Sequence, residues 1–120
     1  MSKIFVCSMT ALVTLLAVGC GGFPKPEARL ASSEGAIRGA EEAGAQKVPQ
    51  ATLHLKLAQE ERAQALKLIE NGDNERAEFT LARSEADAEL AVALARESTA
   101  EAEAKKTLEE VQELKKKAAQ

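Results

Sequence analysis

Apolar and small residues recur every three or four positions through most of the chain after residue 26, which is the period of an amphipathic α-helix. Two runs of this kind, at about 27–46 and 50–70, are separated by Val48-Pro49, and proline is tolerated in the first turn of a helix. The face of the first run is narrow and comprises Leu30, Ser33, Ile37, Ala40 and Gly44. The face of the second comprises Leu55, Ala58, Ala65, Leu66 and Ile69, with the stem of Arg62 alongside.

The longest run, at about 74–117, predicts a third helix. It follows Asn71-Gly72-Asp73-Asn74, where Gly72 can end one helix in left-handed geometry and Asp73 can cap the next. Its apolar stripe has an average spacing near an eleven-residue repeat, the period of a straight or slightly right-handed helix. The stripe comprises Phe79, Ala82, Ala86, Leu90 and Ala93 and, after a break at Glu97, Ala100, Ala104, Leu108 and Val111.

These runs predict an all-α fold over residues 27–120, a helical hairpin or three-helix arrangement with a long C-terminal helix. At about 1.5 Å per residue the third helix is roughly 65 Å long, which exceeds what the two shorter helices can cover. Its distal part is therefore expected to project. The exposed apolar positions expected to bind a partner there are Ala104, Leu108, Val111 and Leu114.

The first residues follow a different pattern. Lys3 precedes an uncharged run from Ile4 to Val18, the layout of a secretory signal peptide, and that run is shorter than the roughly 20 residues of a membrane-crossing helix. It ends in Leu16-Ala17-Val18-Gly19-Cys20, which resembles the lipobox of bacterial lipoproteins. The resemblance implies that residues 1–19 are a cleaved signal peptide, that Cys20 carries fatty acyl chains such as palmitate, and that residues 20–26 form a proline-rich spacer.

The resemblance also implies a location. Gly21 follows the cysteine where an aspartate would favour the inner membrane, so the expected site is the periplasmic face of the outer membrane. Several acyl chains hold a protein durably on a membrane, whereas one chain holds it only marginally.

Composition excludes several classes of function. The 120-residue chain has a net charge of −3 with both signs interleaved, so it lacks the clustered basic face of a nucleic-acid-binding protein. His54 is the sole histidine, which leaves no His-based metal cluster or Ser-His-Asp arrangement within one chain. Acid pairs such as Glu60-Glu61 and Glu109-Glu110 are expected to form solvated faces. We therefore expect no enzyme activity, catalytic residue, metal or cofactor.

A second resemblance covers roughly residues 27–97. The segment Val48-Pro49-Gln50-Ala51 and the stretch "ENGDNERAEFTLARSEADAELAVALARE" from Glu70 to Glu97 resemble an uncharacterised domain of bacterial envelope lipoproteins. In that family the domain follows a lipobox and sometimes precedes an OmpA-like peptidoglycan-binding domain. The resemblance implies an envelope location and a helical architecture, and it transfers no established activity.

These features predict a membrane-anchored structural or adaptor lipoprotein whose long helix meets another copy or another envelope protein. Two alternatives remain. The stretch "GDNERAEFTLARS" is similar to tetratricopeptide repeats, which bind peptides or proteins, although one hairpin is clear and such stacks need about three copies. Non-covalent association with peptidoglycan, with Lys115-Lys116-Lys117 as the contact, is the other.

Overall fold

The computed structural model describes residues 22–120 and confirms the all-α fold. Helix α1 spans Glu27–Glu42, helix α2 spans Pro49–Glu70 and helix α3 spans Asn74–Ala118, with a short 3-10 helix at Ala45–Lys47. The described residues form no strand. The predicted signal peptide and the predicted lipidation site Cys20 lie outside the described residues.

The three helices form a bundle in which α3 is the common partner. Helix α2 is antiparallel to α3, because His54 contacts Asp87 while the more C-terminal Glu61 contacts Arg83. Helix α1 is parallel to α3, since Arg29 near its start binds Glu78 and Glu85. Most contacts of α1 are with α3 rather than α2, so the first helix packs on the hairpin mainly through its long helix.

The first helix ends earlier than its sequence pattern predicts. Helix α1 stops at Glu42 rather than near residue 46, and Gly44 has a φ of 80°, which places it in the left-handed region. Gly44 N–H donates to the Glu41 carbonyl, so this residue closes the helix instead of continuing its face. Val48 is then extended, as expected before proline, and Pro49 begins α2.

The turn between α2 and α3 has the predicted glycine geometry. Gly72 has a φ of 77°, its N–H donates to the Ile69 carbonyl, and Asp73 N–H donates to the Leu68 carbonyl. This pair of bonds is the Schellman motif. The predicted cap by Asp73 is wrong, because its carboxylate makes no capping hydrogen bond and instead accepts one from Arg76 Nη1 at 2.9 Å.

The face of α3 that packs on the shorter helices is built from small residues. Its buried positions are Ala77, Leu81, Ser84, Ala88, Ala91 and Ala95. Across from them, α2 buries Ala51, Leu55, Ala58, Glu61 and Ala65. Small side chains let helix backbones approach closely, and the Ser84 hydroxyl donates to the Ala58 carbonyl of the neighbouring helix at 2.7 Å. The core is therefore a thin seam rather than a thick apolar centre.

The stripe predicted from the sequence lies on the other side of α3. Leu90 follows the buried Leu81 by nine residues, and nine residues make about two and a half helical turns, so the two side chains point in opposite directions. The same offset relates Ala86 to Ala77 and Ala104 to Ala95. The predicted stripe is real, but it faces away from α1 and α2.

The distal part of α3 projects, as predicted. Ala95 is the last buried residue of the chain, and every residue from 99 to 120 is exposed. At about 1.5 Å per residue the 45-residue helix is roughly 68 Å long, and its last 30 Å or so has no intramolecular cover. Among residues 22–120, no helix combines the length and apolar character needed to cross a membrane.

Candidate functional site

The exposed face of α3 is the most extensive unpartnered apolar feature of the described residues. We call it the outer stripe and define it by its apolar members: Phe79, Ala82, Ala86, Leu90, Ala93, Ala100, Ala104, Leu108 and Val111. Glu97 is its one polar interruption between Phe79 and Val111. The stripe runs along both the packed half of the helix and the projecting half, over roughly 48 Å at about 1.5 Å per residue.

Its large side chains are open to solvent. Phe79 is 64% exposed, Leu90 42%, Leu108 63% and Val111 41%. Single exposed apolar residues are ordinary on a protein surface, whereas a contiguous row is typical of an interaction site. Of the predicted partner-binding set, Ala104, Leu108 and Val111 lie on the stripe. Leu114 is exposed at 65% and lies about 80° around the helix from the stripe's centre.

The start of the described chain is held at one end of the bundle. Asn74 Nδ2, in the first turn of α3, donates to the Phe23 carbonyl at 2.9 Å, and Pro26 is buried. The spacer therefore joins the bundle beside the turn between α2 and α3. Helix α3 leads away from that point, so residue 22 and the projecting end of α3 lie at opposite ends of the molecule.

A cluster of four charged or titratable side chains lies on the seam between α2 and α3. His54 Nδ1 lies 2.7 Å from Asp87 Oδ1, and Glu61 forms an ion pair with Arg83. The sequence did not predict this cluster, because it gave the sole histidine, His54, no partner and placed Glu61 on a solvated face. Glu61 is in fact buried, with 7% of its surface exposed, while its neighbour Glu60 is exposed. The available signal was the helical period, which places Glu61 between the buried Ala58 and Ala65.

Burial raises the pKa of Glu61 above its ordinary value. The positive charge of Arg83 opposes that shift, and the negative charge of the neighbouring Asp87 carboxylate adds to it. Glu61 Oε2 is buried without a hydrogen-bond partner among the described residues. The cluster therefore holds a carboxyl group that protonates more readily than an exposed glutamate.

A second polar cluster joins α1 to α3 and has the opposite electrostatic effect. Arg29 binds Glu85 Oε2 through Nη1 at 2.8 Å and Glu78 Oε1 through Nε at 3.1 Å. The Ser32 hydroxyl also donates to Glu85. The bonds from Ser32 and Arg29 hold the pKa of Glu85 below its ordinary value, because they favour the charged carboxylate. This cluster fixes the register of α1 along α3.

Neither cluster has the form of a metal centre. Residues 22–120 contain no group of three histidine, cysteine, aspartate or glutamate side chains placed to hold a metal ion. His54 and Asp87 are both partly exposed, on a seam between two helices. Their contact joins the two helices. The outer stripe is thus the part of the described surface that most resembles an interaction site.

No protein-family model, curated protein or solved structure matches this chain.

Proposed function

We propose that the protein is a lipoprotein of the bacterial cell envelope, anchored through acyl chains on Cys20 to the periplasmic face of the outer membrane. In this proposal it acts as a helical structural or adaptor module and has no catalytic role. The observation that carries the proposal is the outer stripe, which continues over the projecting part of α3 and has no partner among residues 22–120. The uncharged run that ends in the lipobox-like segment before Cys20 supports the anchor.

The position of the ends supports an adaptor. The chain enters the bundle beside the turn at residues 71–74, and α3 carries its exposed apolar residues away from that point. An anchor at Cys20 would therefore leave Leu108 and Val111 roughly 50 Å along the helix from its membrane-proximal end, at about 1.5 Å per residue. A second envelope component could bind there without displacing the bundle.

The anchor is tested by comparing Cys20→Ser with Cys7→Ser in bacteria fed a labelled palmitate. Only the cysteine at the lipobox-like segment can form the thioether, so Cys20→Ser should lose the label and accumulate as an unprocessed precursor. Cys7→Ser is the matched control and should be labelled and processed normally. Normal processing and labelling of Cys20→Ser would overturn the lipoprotein proposal.

The adaptor role is tested by photo-crosslinking from position 108 in the native envelope, followed by mass spectrometry. Position 113 is the control, because Glu113 follows Ala95 by 18 residues and so points to the opposite side of α3, away from the stripe. Crosslinks to a protein from position 108 but not from position 113 would support the adaptor role. Recovery of peptidoglycan fragments instead would identify wall association, and the absence of position-dependent crosslinks would contradict both roles.

A further inference from the structure

The outer stripe has a symmetry about Glu97. Ala86 and Leu108 lie eleven residues before and after it, and Leu90 and Ala104 lie seven residues before and after. Farther out, Phe79 and Lys115 are each 18 residues away. At equal distances from Glu97, a large side chain on one half of the stripe thus corresponds to alanine or the flexible stem of lysine on the other half.

The remaining positions follow the same arrangement within one residue. Ala82 corresponds to Val111, and Ala93 corresponds to Ala100. Two antiparallel helices that face each other with their centres at Glu97 would therefore place each large residue over a small one. Well-packed interfaces have this property, because a gap beside an apolar side chain forfeits its dispersion contacts.

We infer that the partner of the outer stripe is a second copy of this chain, packed antiparallel along α3 with the two-fold axis at Glu97. Both copies use the same surface, the outer stripe, in this contact. The contact therefore ends at a dimer and does not extend into a filament. Helices α1 and α2 pack on the opposite face of α3, and the large side chains of the stripe are exposed in the described part of the chain. The inference deepens the proposed function by naming the partner.

Charged side chains also meet at the two-fold axis. The two Glu97 carboxylates approach each other there, and Arg96 of each copy lies beside Glu97 of the other and offsets that approach. Asp87 takes no part in the pairing, because it contacts His54 on the seam between α2 and α3.

A parallel arrangement in register fits the side chains less well. It would set Leu90 against Leu90 and Leu108 against Leu108, while Ala86 faced only Ala86. The leucine layers would hold the helices apart and leave gaps at the alanine layers. The Lys115 side chains at the end of the stripe would also face each other.

Disulfide crosslinking of the full-length chain distinguishes the arrangements. In a Cys7→Ser and Cys20→Ser background, introduced cysteines are the only thiols, so the result does not depend on acylation. Ala86→Cys mixed with Leu108→Cys should form a covalent dimer of twice the mass on mild oxidation, whereas neither variant should do so alone. Glu97→Cys, at the axis, should crosslink to itself.

Glu113→Cys, which points away from the stripe, is the control and should remain monomeric on a non-reducing gel. Circular dichroism of each variant establishes that the helices are retained. Self-crosslinking of Ala86→Cys and of Leu108→Cys without the mixed product would demonstrate parallel pairing and overturn the inference. Helical variants that form no stripe-dependent crosslink would also overturn it, while leaving the separate test of acylation at Cys20 unaffected.

Discussion

The two faces of α3 differ in a way that hydrophobicity alone does not anticipate. The packed face consists mostly of alanine with one leucine, Leu81, and one serine, Ser84. The outer stripe carries the larger apolar side chains, including Phe79, Leu90 and Leu108, and it faces solvent. The residues with most to gain from burial are the ones left exposed, because the seam on the opposite face has room for small side chains.

This comparison shows how a chain with few large residues builds a core. Close approach of helix backbones substitutes for side-chain volume, and each buried alanine excludes water between two helices. The large apolar residues then remain exposed, and in our proposal they contact a second copy of the chain. The face of α3 that packs within the bundle can therefore be distinguished from the outer stripe by the size of its residues as well as by their polarity.

The largest difference between the two faces is expected when a leucine on each face is replaced by alanine and the free energy of unfolding is measured. Leu81 is completely buried and Leu90 lies opposite it on the same helix. We expect Leu81→Ala to lower the free energy of unfolding by about 2–5 kcal/mol, because it removes apolar contacts and leaves a cavity. Leu90→Ala should change it by less than about 0.5 kcal/mol in the monomer. Thermal and denaturant unfolding measure both, and equal effects would contradict the assignment of the faces.

Replacing an alanine by leucine should also destabilise the packed face of α3 more than the outer stripe. Ala88 has no exposed surface, whereas Ala86 is exposed on the outer stripe. We expect Ala88→Leu to destabilise the bundle by about 1–3 kcal/mol, because the added carbons force the helices apart. Ala86→Leu should change the free energy of unfolding of the monomer by less than about 0.5 kcal/mol, because the added carbons project into solvent. A stable Ala88→Leu protein would show that the seam does not require small residues.

A substitution in the turn between α2 and α3 should lower the free energy of unfolding by less than the substitutions on the packed face. Gly72→Val places a β-branched side chain at a φ of 77°, which should cost about 1–2 kcal/mol of unfolding free energy. Gly35→Ala is the contrasting variant, because the added methyl group of this α1 residue meets nothing within 4 Å. It should stabilise the helix by up to about 1 kcal/mol. Indistinguishable melting temperatures for all three proteins would argue against the left-handed turn.

The contributions of Glu61 and Glu85 to the stability of the bundle should change with pH in opposite directions. The pKa of Glu61 is raised, so its protonated form is favoured in the folded state and its contribution to stability grows as the pH falls from 7 toward the ordinary glutamate range. The pKa of Glu85 is lowered, so its contribution is present above the ordinary range and is lost as the pH falls through its folded pKa. As the pH falls, the contribution of Glu61 to stability therefore increases and that of Glu85 decreases.

Melting temperatures at pH 7 and pH 4.5, the ordinary pKa of glutamate, test this for Glu61. Relative to the wild type, Glu61→Gln should be more stable at pH 7, because it removes a buried charge, and this advantage should shrink as the pH falls toward 4.5 and Glu61 becomes protonated. Glu60→Gln, at the exposed neighbouring position, is the control and should show no such difference. An advantage of Glu61→Gln that grows on acidification would contradict the raised pKa.

Charges placed on the outer stripe should have the smallest effect on the folded bundle and a large effect on association. Replacing Leu108 and Val111 by lysine should dissociate the protein to monomer, with helix content lost mainly beyond residue 99. The melting temperature of the packed part should hardly change, because neither residue touches α1 or α2. Sedimentation of the full-length chain in detergent measures the first effect, and a wild-type protein that is already monomeric would contradict self-association.

Helical periodicity predicted the architecture because period and breaks are local properties of the chain. Val48-Pro49 and Asn71-Gly72 mark the helix boundaries, and the absence of cover beyond residue 99 follows from the unequal lengths of the helices. The end of α1 was placed too late, since Gly44 is compatible with a helical pattern but adopts a left-handed conformation at the close of the helix.

The candidate site was harder to predict for two reasons. The stripe of α3 is visible in the sequence, but which of two opposite faces packs depends on how closely the helices approach, a property of the assembled bundle. The cluster of His54, Asp87, Glu61 and Arg83 joins residues from two helices, so spacing within either helix does not reveal it. The burial of Glu61 is the clearest example of a tertiary effect on a residue that looks ordinary in sequence.

The hydrogen bond between Asn74 and the Phe23 carbonyl limits how far the bundle could lie from a membrane anchor. An anchor on Cys20 would be three residues from Phe23, and three residues span at most about 10 Å. The bundle would therefore sit close against the lipid headgroups, with little freedom to drift from them. In the antiparallel pair the two Cys20 anchors would lie at opposite ends of the dimer. A dimer with both anchors in one leaflet must therefore lie flat along the membrane, attached at both ends.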